Sequence, residues 1–207
     1  EQEKVDVFLG RYKPEHIILD PERPMSVDPL TNGDLLMEYR YKHLQAQQNA
    51  LRVIEETDRK FKELFGRSYG GLIEEYRMED AEIAIITMGS MTGAAKEAVD
   101  LKRKDGTKIG LVKIRSLRPF PKERLIKAMG KVRAFGVVDR NVSFGWNTGV
   151  VYQEVKSALY ESGRIIPSVP FIGGLGGEDI TVKMMVNCIE KIESLNENHN
   201  TVWLVRE

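Results

Sequence analysis

Residues 83–93, Ile83-Ala84-Ile85-Ile86-Thr87-Met88-Gly89-Ser90-Met91-Thr92-Gly93, decide the architecture. The run Ile83–Ile86 is apolar without alternation, the pattern of a strand buried on both faces of a parallel sheet. It stops at Gly89-Ser90, and the alanine-rich residues 93–99 that follow read as a helix. A glycine permits the tight turn between them, and Ser90 or Thr92 is expected to cap the helix through its hydroxyl. Strand, turn and helix in succession open a βαβ fold. The stretch fits neither the GxGxxG fingerprint nor the phosphate-loop pattern, so it speaks for architecture before ligand.

Downstream the same rhythm continues. Residues 109–114, 134–138 and 202–205 read as strands, the last at an edge. Residues 165–172 contain Pro167 and Pro170, which predicts an edge strand or one that begins late. Helical patterns fill 92–103, 122–130, 150–161 and 180–195. The expected fold class is therefore α/β, a mainly parallel sheet with helices on both faces.

Upstream the character changes. Pro14, Pro21, Pro24 and Pro29 punctuate residues 1–34, read as an extended lead-in that either lies on a neighbouring surface or is a flexible linker. Residues 34–65 hold a long helical pattern, with Met37, Tyr41, Leu44, Leu51, Ile54, Phe61 and Phe65 on one broad side. Asp34 is the expected N-cap and Gly66 the expected stop. Such a helix spans about 45 Å, so it either reaches a partner or packs within the chain. Residues 73–78 suit a short strand or an extended segment. The boundary is expected near Met78–Ala81, giving a connecting region 1–80 and an α/β domain 81–207.

Lysine plus arginine number 31, as do aspartate plus glutamate, so nothing electrostatic argues for nucleic acid or an anionic membrane as partner. The only cysteine, Cys188, excludes an internal disulfide and any thiol-based cluster or zinc site made by this sequence alone. A cytoplasmic setting is consistent with that. No apolar run approaches the roughly 18 residues of a membrane span. The sequence starts with Glu1, which suggests a piece of a longer polypeptide.

Ligands of open parallel sheets bind beyond the carboxyl ends of the strands. Four clusters fall there: Gly89-Ser90, Arg115 with Arg118, Asp139-Arg140-Asn141, and the loop Gly173–Gly177 with Gly174, Gly176 and Gly177. The arginines suit a phosphate or carboxylate, or internal pairs with Asp139 or Glu178. The glycine loop lets backbone amides approach an anion or another chain, or is simply a sharp turn. His16, His43 and His199 stand away from any strand-end serine, so no catalytic triad is expected. No metal-ligand spacing occurs, and Cys188 is expected to be an inert buried thiol. No catalytic and no metal-binding residue is therefore assigned.

Three stretches carry a resemblance: Val112–Pro121 (VKIRSLRPFP), Val137–Gly145 (VVDRNVSFG) and Gly174–Thr181 (GLGGEDIT). Together with Leu19–Pro24 and Met37–Tyr41, they resemble the alpha subunit of pyruvate:ferredoxin oxidoreductase, or pyruvate synthase, in order over nearly the whole chain. The resemblance implies a transketolase C-terminal-like domain from the C-terminal part of that subunit. It implies a complex that interconverts pyruvate and acetyl-CoA using thiamine diphosphate, iron–sulfur clusters and coenzyme A, none of them bound by this chain alone. It implies beta-, gamma- and delta-type subunits and ferredoxin as partners. The sequence departs from the family at Glu178, where a basic residue is usual, and at Trp146-Asn147-Thr148, where glycine is more frequent. The 2-oxoacid therefore stays open. Two further readings stand beside it: a free-standing anion- or nucleotide-binding regulatory module, and a domain of a transketolase or oxoacid-dehydrogenase relative.

Overall fold

In the computed structural model, residues 1–14, 18–27 and 30–205 are described. His16 and Pro29 lie outside them. Two compact units divide the chain, Glu1–Tyr69 and Gly70–Glu207.

The first unit begins with α1 (Gln2–Leu9), where an extended lead-in was expected. The helix forms because Phe8 has rings to pack against. Its ring meets Phe61 and Phe65 edge-on, with centroids 5.5 and 5.9 Å apart. Described residues after it are irregular, with a turn at Pro21-Glu22 where the Asp20 carboxylate accepts from the Glu22 amide at 3.0 Å. Helix α2 (Gly33–Phe65) follows, 33 residues long and about 50 Å by its rise. Asn32 occupies the N-cap position, two residues before Asp34, which instead places its charge in the first turn. Gly66 ends the helix with φ 74°, as expected. None of the described residues of α2 is buried.

The second unit is built on a sheet of β1 (Ile73–Tyr76), β2 (Ile83–Met88), β3 (Ile109–Ile114), β4 (Ala134–Asp139), β5 (Ser168–Gly173) and β6 (Val202–Leu204). The spatial order is β1-β3-β2-β4-β5-β6. All neighbours run parallel except β1, which pairs antiparallel with β3. Between parallel strands the chain crosses through α3 (Thr92–Lys104), α4 (Lys122–Ala128), α5 (Val150–Glu161) and α6 (Val182–Glu193). Residues 73–76, expected as a short strand within the connecting region, thus complete the edge of this sheet.

The central strands are buried on both sides, which is why they lack alternation. Ala84, Ile86, Val112, Phe135 and Val137 pack under α4 and α5. Ile83, Ile85, Leu111, Val138 and Phe171 pack under α3 and α6. Neighbouring residues of one strand therefore serve opposite layers. Strand β5 begins after Pro167, the late start that was one of the two expectations for this segment. Pro170 fits because pairing with β6 starts only at Phe171.

Candidate functional site

The carboxyl ends of β2, β4 and β5 bring several of the expected residues together. At β2, one 3-10 turn (Gly89–Met91) leads directly into α3. Neither Ser90 nor Thr92 caps the helix, because the chain is already coiling when it arrives. Thr92 Oγ1 donates back to the Gly89 carbonyl at 2.9 Å and meets the buried Thr87 hydroxyl at 2.9 Å.

Asp139, 1% exposed, is the last residue of β4. Its Oδ1 accepts from the Val151 amide (3.1 Å) and its Oδ2 from the Tyr152 amide (3.0 Å). Asn141 Oδ1 accepts from the Val150 amide at 3.0 Å, while its Nδ2 donates to Asp139 Oδ1 at 3.1 Å. The three amides that open α5 are thus satisfied by side chains from the end of β4. Burial pushes the Asp139 carboxyl group above its ordinary pKa, and the two amides and Asn141 pull against that shift. A β-carbon on Gly149, the residue before α5, would lie 2.1–2.2 Å from the Asp139 carboxyl group. Glycine is what allows the carboxylate to reach the helix.

Arg140 bonds to three residues of two segments. Its Nε and Nη2 donate to the Gly174 carbonyl (3.2 and 3.1 Å), Nη2 also to the Glu178 carbonyl (3.3 Å), and Nη1 to Ser90 Oγ (3.4 Å). The loop it holds contains one 3-10 turn, Leu175–Gly177, with Gly174, Gly176 and Gly177 at φ 68°, 67° and 89°. Ser90, Arg140 and Gly174 therefore form one connected cluster. Arg118 takes another direction and pairs with Glu154 on α5 rather than with Asp139 or Glu178, also donating to the Leu117 carbonyl at 2.7 Å. Arg115 is exposed, and its amide donates to the Leu72 carbonyl at 3.1 Å.

A second polar group was not among the residues expected from sequence. Tyr152 Oη and Ser168 Oγ meet at 2.9 Å, and Asn198 Oδ1 accepts from Ser168 Oγ at 3.0 Å and from Lys156 Nζ at 3.2 Å. Tyr152 and Lys156 lie one helical turn apart, but Ser168 and Asn198 come from distant segments. The i,i+4 spacing on α5 was the only readable clue.

Burial pushes the Cys188 thiol up to about 12, so it stays protonated on α6. His43 contacts Gln47 at 3.3 Å, and the His199 ring contacts the Asn200 carbonyl at 2.7 Å. An iron–sulfur cluster needs several thiolates, and one buried cysteine does not fit it. The described residues contain no group of three potential metal ligands. The α5 amides that could receive a phosphate already hold Asp139 and Asn141, so a diphosphate does not fit there either.

Comparison with known proteins adds the following. Residues 81–185 match the family described as pyruvate:ferredoxin oxidoreductase core domain II. The NADH-dependent phenylglyoxylate dehydrogenase subunit alpha of Aromatoleum evansii is 50% identical, over 94% of this chain and 48% of that protein. Pyruvate synthase subunit PorA of Methanosarcina barkeri is 43% identical, over 98% and 50%. Ketoisovalerate oxidoreductase subunit VorA of Pyrococcus horikoshii is 41% identical, over 95% and 50%. The chain spans about half the length of these relatives. With strand ends, helices and core assigned as above, the chain belongs to the pyruvate:ferredoxin oxidoreductase core domain II family, as found in alpha subunits of 2-oxoacid:ferredoxin oxidoreductases.

Proposed function

We propose that this chain is an assembly-supporting part of the alpha subunit of a thiamine-diphosphate-dependent 2-oxoacid:ferredoxin oxidoreductase, working in the cytoplasm with pyruvate as the first substrate to test. The observation that carries the reading is where the strand-end side chains go. Asp139 and Asn141 hold α5, and Arg140 holds the glycine loop, so these groups organise the chain's own surface. Helix α2, with no buried residue among those described, supplies a long face for sister domains. In this reading thiamine diphosphate, the iron–sulfur clusters and coenzyme A belong to other parts of the complex, with ferredoxin as electron partner. The division into a connecting region 1–80 and a core domain 81–207 belongs to the same proposal.

The test is an anaerobic assay with pyruvate, coenzyme A and an oxidised viologen. The chain alone is expected to be silent, while the assembled complex turns over. Turnover from the chain alone would refute the proposal.

A further inference from the structure

Between β4 and α5 the chain folds into a short hairpin. The Ser143 amide donates to the Thr148 carbonyl at 2.8 Å, and the Trp146 amide to the Ser143 carbonyl at 3.1 Å. Its tip carries Phe144, 95% exposed, and Trp146, 73% exposed. The hairpin is anchored next to β6, because Asn147 accepts from Thr201 Oγ1 through its carbonyl and from Trp203 Nε1 through Oδ1 at 3.2 Å. Beside Trp146, the side chains of Tyr152 and Lys156 come from one face of α5. With Ser143 and Gln153 these residues line an open groove of about 550 Å³. That volume lies within the range of small-molecule clefts.

The charge in this groove is uncompensated. Lys156 Nζ donates to two neutral oxygens, Ser168 Oγ at 3.4 Å and Asn198 Oδ1 at 3.2 Å. Among the described residues no carboxylate pairs with it. An ammonium has three donors, so one is left for a ligand. Partial burial holds the lysine below its ordinary pKa, and an arriving anion would reverse that shift. One cation suits one negative charge, while the indole and phenol rings suit a planar apolar body.

We propose that this groove binds an aromatic carboxylate, its ring against Trp146 and Tyr152 and its carboxylate on Lys156. The test is calorimetric titration of benzoate into the native protein that carries this chain, and into its Lys156→Met and Trp146→Ala variants. Saturable binding is expected, at least tenfold weaker in each variant. Lys156→Gln keeps a donor for Ser168 and Asn198 while removing the charge, and is expected to lose the same tenfold, with near-UV circular dichroism confirming the fold. Benzyl alcohol, which lacks the anion, and cyclohexanecarboxylate, which lacks the planar ring, should each bind at least tenfold more weakly. No saturable binding, or binding that survives the Lys156 and Trp146 substitutions, would overturn the proposal. So would tighter binding of AMP than of benzoate, which would assign the groove to nucleoside phosphates.

Discussion

A methyl group at position 149 has nowhere to go while the Asp139 carboxylate stands 2.1–2.2 Å from it. Gly149→Ala is therefore expected to cost about 2–3 kcal/mol, read from denaturant melts as a lower midpoint with an unchanged slope. The cap it protects has an unusual pH signature. Because burial raises the folded-state pKa of Asp139, its contribution is complete below the unfolded aspartate value of about 4 and declines as pH rises through the folded value. The stability difference between wild type and Asp139→Ala should thus be larger at acid pH than at neutral pH. A difference that grows with pH would show that the two amides outweigh burial. The sequence placed Asp139, Arg140 and Asn141 together at a strand end, but not their bonds. Helix α5 starts beyond a six-residue hairpin, and capping across such a loop depends on tertiary geometry rather than on spacing.

Among the elements, the buried strands and the helices between them were legible because unbroken apolar runs, period-3.6 patterns and the turn residues between them agree. Two elements were less so. The prolines of residues 1–34 suggested extended chain throughout, whereas α1 depends on Phe61 and Phe65, more than fifty residues away. The antiparallel direction of β1 is equally non-local, since four residues carry no sign of orientation. Phe8→Ala should release α1, seen as faster amide exchange over residues 2–9 while α2 keeps its protection. Arg140→Met should do the same to the Gly173–Gly177 loop by removing the donors to the Gly174 and Glu178 carbonyls. Unchanged exchange in that loop would mean that its glycines hold the turns without the guanidinium.

Across the whole molecule, α2 is the element richest in exposed apolar side chains among the described residues. Leu35, Leu36, Met37, Tyr39, Tyr41 and Leu44 are all exposed in its first half. If this half of the helix serves assembly, Leu36→Lys with Met37→Lys should abolish co-purification of the sister subunits and leave the circular dichroism of the chain unchanged. Retained co-purification would move the assembly surface elsewhere. Mass measurement of the native polypeptide carrying this sequence bears on the same point, with about twice the present length expected from the relatives.

The Asp139 cap has a kinetic side as well. It joins β4 to α5 across only twelve residues, so closing that loop costs little chain entropy compared with pairing distant strands. Strand, hairpin and helix over residues 134–161 then make a natural nucleus on which β2 and β5 can condense. In that case Asp139→Ala slows refolding more than it speeds unfolding, and a residue that looks like a detail of one helix end sets the pace for the entire sheet.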